Sequence, residues 1–373
     1  MDKKKKALLI CATSGQIISF RKALIEKLQY EGYEIHTIAF DDEYRDLIES
    51  RGIKLYTVSG ANRSTNPFQL LSITKKYRNI IREVAPDIVM TFMLKPNVLG
   101  VLAARRAGVG KSNIFSMVEG AGDVFINNGI KWKFIRFVVC KMYKKAFKNA
   151  NKVFFLNTDD RAEFVSRKLV KSEQCEVIPG IGVDLEHFSY KPVKNYRVFL
   201  MIARMLKTKG VIEYCRAARL VKQKYPDAVF NYLGGEGTVK ISDIREYIDD
   251  GSINYIGTTD DVRPFIEDCS VTVLPSYREG LGLVNVESGA MGRAVITGNT
   301  VGTKDTVVDN YNGFLIECRS ANAIVEKCIY FLENSDEVTR MGKNSRKLAE
   351  EKFDVNVVTE RVVNIVTNKI PTE

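Results

Sequence analysis

Short, continuously apolar runs alternate with helix-period stretches along most of the chain. In the first half the runs are ALLICA (7–12), YEIHTIAF (33–40), IKLYTVS (53–59), PDIVMTF (86–92), NIFSMV (113–118) and KVFFLN (152–157). Between them lie IISFRKALIEKLQ (17–29), PFQLLSITKKYRNIIREV (67–84), NVLGVLAARRAG (97–108) and KWKFIRFVVCKMYKKAFKNA (131–150), each with helical spacing. Strands that are apolar on both faces and separated by helices predict a parallel, doubly wound α/β sheet covered on both sides. A Gly/Pro-marked segment, 175–196, interrupts the alternation, which then resumes through RVFLMIA (197–203), AVFNYLGG (228–235), INYIGT (253–258), SVTVLPS (270–276) and AVITGN (294–299). The pattern predicts a linker over 179–196. It divides the chain into a first domain over 1–190 and a second over 191–352, with helical 353–373 packing back on the first. In such sheets ligands bind beyond the strand C-termini, so the expected place for a site is a cleft between the domains.

A chain of 373 residues accommodates two domains of this size. No apolar run approaches the ~18 residues of a membrane span, and the basic start MDKKKKALLICATSG lacks a signal-peptide core. Seven scattered cysteines with no CxxC spacing fit free thiols in a reducing compartment better than disulfides or a zinc site. Charge is asymmetric. Residues 1–190 carry 31 Lys+Arg against 20 Asp+Glu, whereas 191–373 carry 25 of each. Residues 124–158 hold eight Lys/Arg and no acid, so the first half is expected to meet something anionic.

Three loops carry candidate chemistry. After the first strand, CATSGQIISFR has a single glycine, Gly15, where a dinucleotide fold needs G-x-G-x-x-G; a nicotinamide enzyme is therefore disfavoured. Gly15 still permits a close backbone approach at a helix N-terminus, although a plain strand-to-helix turn explains it equally. After RVFLMIA come Arg204 and Lys209, a cation pair able to grip a diphosphate, Arg bidentately and Lys as a point charge. After SVTVLPS comes REGLGLVNVESG, which sets Glu279 and Glu287 eight positions apart around Gly280 and Gly282. A helix starting near Leu283 would turn the N–H groups of residues 281–284 towards a phosphate, and two carboxylates suit vicinal diols. A hydrolase acid pair is a poorer fit because an anion site would lie between the two acids. A metal site is a poorer fit without a DxD.

E-x7-E after a strand, preceded by the Arg/Lys pair, resembles family 4 of the retaining glycosyltransferases. The similarity extends through IARMLKTKG, YLGGEG, the 253–296 segment, DNYNGFLIE and the hinge-like IPGIGVDLEHF. It implies a GT-B fold, two Rossmann-like domains facing a central cleft. It implies that Glu279 meets the donor sugar's hydroxyls and Glu287 the ribose, and that Arg204 and Lys209 hold the diphosphate with the N–H groups of Leu281, Gly282, Leu283 and Val284. By the same likeness Gly234 and Gly235 line the nucleotide pocket and the YIGTTDD loop meets the base. Within the family, TSGQIISFRKAL, NRSTNPF and SMVEGAG resemble bacterial enzymes that extend undecaprenyl-diphosphate-linked saccharides. That implies a UDP-sugar donor, expected to be an N-acetylhexosamine, a polyprenyl-diphosphate-linked glycan as acceptor, and no metal or other cofactor. His36 and His187 read as structural, which leaves Glu119 as the first-domain catalytic candidate and Arg21 as a candidate for an acceptor phosphate.

The stretch 131–148 adds a membrane expectation. It holds Trp132, Phe134, Ile135, Val138, Val139, Met142, Tyr143 and Phe147 among seven Lys/Arg, the composition of a helix lying on anionic lipid. Part of its apolar face is expected to pack on the sheet. Nucleic acid is not expected, since no fold signature for it is present. The expected place is the cytoplasmic face of the cell membrane, held peripherally. A GT-B transferase on a soluble acceptor, a nucleotide-sugar epimerase and a non-enzymatic membrane-binding protein remain as alternatives.

Overall fold

The protein is represented by a computed structural model that describes residues 4–58, 66–126 and 129–369. Part of the NRSTNPF stretch lies outside the described residues. The chain divides into two compact units, residues 1–181 with 356–373, and residues 182–355.

The first unit holds a seven-stranded sheet of β1 (Lys6–Ile10), β2 (Glu34–Ala39), β3 (Lys54–Thr57), β4 (Ile88–Phe92), β5 (Ile114–Val118), β6 (Lys152–Phe155) and β7 (Cys175–Val177). All neighbours are parallel, in the order β3-β2-β1-β4-β5-β6-β7. The central strands β4 and β5 are buried at every position, as their unbroken apolar runs require. The second unit holds β8 (Val198–Ile202), β9 (Val229–Leu233), β10 (Asn254–Gly257), β11 (Val271–Leu274), β12 (Ala294–Gly298) and β13 (Gly313–Ile316), parallel in the order β10-β9-β8-β11-β12-β13. Each sheet reverses its winding beside its first strand, between β1 and β4 and between β8 and β11. Ligands of open α/β sheets bind outside the strand ends at such switch points.

Three expectations need correction. The boundary falls at 181/182 rather than 190/191, because Val183 N–H donates to Phe353 O (2.7 Å) and Val355 N–H to Val183 O (3.0 Å), sewing the hinge onto the second unit. The returning segment is accordingly 356–373 rather than 353–373, and its helix, Val355–Val366, buries Val358, Val362, Val363 and Val366. The amphipathic stretch 17–29 is two helices, Ser14–Ser19 and Lys22–Tyr30, broken at Phe20–Arg21.

Candidate functional site

In the second unit the strand ends beside the switch point bring the predicted donor-site residues together. Lys209 closes a short 3-10 turn after β8, and Glu279 lies in the loop after β11. They are 70 positions apart in sequence, and their side chains form an ion pair, both substantially buried. Two further bonds lock the loops to each other. Tyr277 N–H donates to Thr208 O (2.8 Å), and Tyr277 hydroxyl donates to Glu213 Oε1 (2.7 Å), on the helix that follows Lys209. Burial and this acceptor raise the Tyr277 pKa, so the phenol stays protonated as a donor. Arg204 is exposed, and its guanidinium makes no hydrogen bond among the described residues. It is the cation left open to a ligand.

The loop 279–282 is shaped by its neighbour. Glu279 N–H donates to Val301 O (3.0 Å), and Gly302, at φ +82°, runs so close that a Cβ there would lie 2.4 Å from Glu279 O. The helix Leu283–Ala290 then begins. Two of the four N–H groups expected to face a phosphate are already turned to carbonyls, Gly282 N–H to Gly302 O (3.3 Å) and Leu283 N–H to Leu281 O (2.8 Å). Gly280 precedes them in the same loop. Asn285 fastens the helix start through Nδ2 to Thr297 Oγ1 (3.0 Å) and Thr306 Oγ1 (2.9 Å).

Glu287 lies one turn into this helix and is partly buried; it has no hydrogen bond or ion pair among the described residues. Loss of hydration alone pushes its carboxyl up to about 7. A desolvated carboxylate without a partner is an acceptor waiting for donors, and a pair of vicinal hydroxyls supplies two. At the end of β9, Gly234 packs so tightly on β8's loop that a Cβ would lie 1.9 Å from Ala203 O; Gly235 accepts from Met205 N–H (2.9 Å). In the YIGTTDD loop Arg263 clamps Asp261 (2.9 and 2.8 Å) and lowers that carboxyl to about 2, fixing the turn.

The first unit meets fewer of the expectations. Glu119, just beyond β5, is ion-paired to Arg21, which is 1% exposed and has its guanidinium 4.0 Å above the Phe92 ring. Arg21 therefore presents nothing to an acceptor phosphate without first displacing Glu119. It acts here as the residue that positions Glu119. Gly15 is corrected too. The Tyr44 ring covers it, 3.4 Å from where a Cβ would stand, and Asp41 already bonds Ser14 N–H (3.0 Å) and Ser14 hydroxyl. That helix N-terminus carries its own anion.

Sequence reasoning passed over Tyr277 and Gly302, whose roles exist only through contacts with distant loops. It also passed over Met93–Lys95 at the end of β4, where Met93 adopts φ +72° ahead of a π-turn over Pro96–Gly100. A non-glycine residue held there marks a shaped edge. On the basic helix, Ile130–Phe147, Tyr143 and Phe147 are core residues, while Ile130, Phe134, Phe137 and Val138 are exposed.

Two doubly wound parallel-sheet units, one carrying a cation pair and an E-x7-E at its switch point, define a glycosyltransferase of the GT-B fold. Residues 183–348 match the family described as glycosyl transferases group 1, and residues 7–157 match glycosyl transferase 4-like proteins. Both units thus carry glycosyltransferase domains, and the chain is a glycosyltransferase. It is similar to the N,N'-diacetylbacillosaminyl-diphospho-undecaprenol α-1,3-N-acetylgalactosaminyltransferase of Campylobacter jejuni, 28% identical over 94% of this chain and 95% of that one. It is 26% identical over 78% of each chain to the Escherichia coli UDP-Gal:α-D-GlcNAc-diphosphoundecaprenol α-1,3-galactosyltransferase. Among solved structures, the sucrose-phosphate synthase of Thermosynechococcus elongatus superposes with a TM-score of 0.81 at 18% identity, covering 98% and 99% of the two chains. The Anabaena protein HepE in complex with UDP and glucose superposes at 0.79 and 17%, covering 98% and 100%.

Proposed function

We propose that this transferase moves an N-acetylhexosamine from a UDP-sugar to a polyprenyl-diphosphate-linked saccharide, with retention of anomeric configuration. The observation that carries the reading is the Lys209–Glu279 pair at the switch point, with Glu287, which has no partner among the described residues, eight residues on. Arg204, Lys209 and the remaining donors of the loop before Leu283 would hold the diphosphate; Glu279 would meet the sugar, and Glu287 the ribose. Gly234 and Gly235 would line the nucleotide. As the bond from the anomeric carbon to the diphosphate oxygen breaks, charge grows on that oxygen, next to the cations. The acceptor hydroxyl attacks from the same face and gives its proton to the departing phosphate. Glu119, held by Arg21, would orient the acceptor. The polyprenyl carrier is supported by the activities named for the two relatives above. Incubation with a panel of UDP- and GDP-sugars, with and without a lipid extract, tests the reading. Transfer only with lipid and a UDP-N-acetylhexosamine is expected. Sugar isomerisation without any acceptor would identify an epimerase instead.

Because Arg204 and Lys209 supply the positive charge at the diphosphate, we propose that no metal is needed. Turnover is expected to be unchanged in EDTA; loss restored by Mg²⁺ or Mn²⁺ would refute this.

The working place we infer is the cytoplasmic membrane face, reached through the basic helix. No described helix is long and apolar enough to cross a membrane. The exposed Ile130, Phe134, Phe137 and Val138 recur at i, i+4, i+7 and i+8, one face, with Lys141, Lys144 and Lys145 exposed behind them. Lys141, Lys144 and Lys145 changed together to Gln should lose anionic-vesicle binding, which should also weaken above ~0.15 M salt, where the Debye length is ~8 Å. UDP binding should not change. If UDP binding falls equally, the helix is structural and the membrane reading fails.

A further inference from the structure

A pocket of about 420 Å³ opens beside the basic helix, lined by Lys133, Arg136, Phe137, Cys140 and, from beyond the helix Thr158–Ser166, Arg167. Nothing in the reaction above uses it. Its cations are held in place from behind. Arg136 Nε donates to Val124 O (2.8 Å), and Arg167 is braced by Glu163 (3.0 Å) with its guanidinium 5.4 Å from the Phe125 ring. Lys133 has no ion-pair partner among the described residues. Three cations converge on the pocket, a lining that suits a phosphate ester. Burial raises the Cys140 pKa, so that thiol adds no negative charge. One wall, Phe137, is 59% exposed and belongs equally to the apolar stripe with Phe134 at 68% and Ile130. A basic hollow that shares an aromatic wall with an exposed apolar stripe fits a ligand with a charged head and a hydrocarbon tail. A soluble anion would leave the stripe uncovered.

We propose that this pocket holds the phosphodiester head group of one anionic bilayer phospholipid, its acyl chains leaving along Ile130, Phe134 and Phe137. The inference rests on the membrane reading and gives it a lipid-sized receptor in place of a diffuse charged face. The site fixes the depth and rotation of the first unit on the bilayer, because one head group is gripped beside the stripe that enters the interface.

The probe is dihexanoyl-phosphatidylglycerol below its critical micelle concentration. Binding is read from the fluorescence of Trp132, the single tryptophan, and from protection of Cys140 against alkylation, located by peptide mass. Lys133→Gln with Arg167→Gln is expected to weaken binding by about tenfold or more, the loss of charge-assisted hydrogen bonds. Lys144→Gln with Lys145→Gln, outside the pocket, should change it by less than about twofold while lowering binding to mixed phosphatidylcholine/phosphatidylglycerol vesicles. Unchanged UDP affinity in both double variants reports intact folding. Equal weakening by the two pairs would overturn the pocket in favour of delocalised charge. Protection of Cys140 by sn-glycerol 3-phosphate as strong as by the lipid would overturn the amphiphile. Farnesyl diphosphate binding more than about tenfold tighter would reassign the pocket to the acceptor's diphosphate and overturn the phospholipid. If the wild-type chain binds vesicles but the pocket variants bind the monomeric lipid normally, this inference alone fails. If the wild-type chain ignores vesicles, the membrane reading fails first.

Discussion

Lys209→Ala is expected to lower kcat/KM by roughly 10²–10³-fold, the effect of removing one preorganised charge from a developing anion. The ion pair with Glu279 makes the partner's variant more informative. In the free protein Glu279 engages the ammonium that the proposed donor needs. Glu279→Gln breaks that competition, so UDP should bind as tightly as to the wild type or more tightly. Turnover should nevertheless fall, because the contact with the transferred sugar is lost. In the double variant the two losses should not add, since each single change already breaks the pair. Calorimetry with UDP and steady-state kinetics on all three variants check this. UDP binding weakened by Glu279→Gln would show that the carboxylate orients Lys209 for the diphosphate.

Glu287→Gln should separate binding from stability in opposite directions. The folded carboxyl titrates near 7 against an ordinary 4.5. A raised pKa means that the folded state favours the protonated form. The stabilisation this gives is complete below 4.5 and is lost as pH rises through 7. At pH 8 the buried carboxylate therefore costs on the order of 3 kcal/mol, and Glu287→Gln should raise thermal stability there, with the gain fading towards pH 4.5. The same change should weaken UDP-sugar binding by ~1.5–3 kcal/mol, the worth of charge-assisted bonds to hydroxyls. Wild-type affinity should rise between pH 6 and 8, as ionised Glu287 becomes available, and the variant's should stay level. Thermal melts and titrations over that range read both effects. A variant no more stable at pH 8 would show that water reaches Glu287.

Much of this was legible from pattern. Eleven strands follow the apolar runs, because a strand buried on both faces has no polar alternation to obscure it. Strands β7 and β13 were not read as runs: one is three residues long, and the other follows a polar turn. That Lys209 and Glu279 would meet was legible because each lies just past a strand end, where topology alone brings loops together. What failed was the identity of near neighbours. Nothing local in CATSGQ tells that Asp41 and Tyr44, a full strand away, have filled the helix start at Gly15. Nor does the helical spacing of 17–29 reveal that Arg21 turns inward, for its reason is Glu119, 98 residues on.

The second unit is an insertion within the first: the chain leaves at 181/182 and returns at 355/356. During synthesis, β1 to β7 emerge long before the helix Val355–Val366 that closes over them, which is tethered by Lys27–Glu360 and Glu176–Arg361, with Glu31–Lys369 just beyond its end. The second unit can therefore complete its fold on the ribosome first, while the first keeps an uncovered apolar flank until the helix Val355–Val366 has been made. Loss of that helix would strike the earliest-made unit and spare the later one.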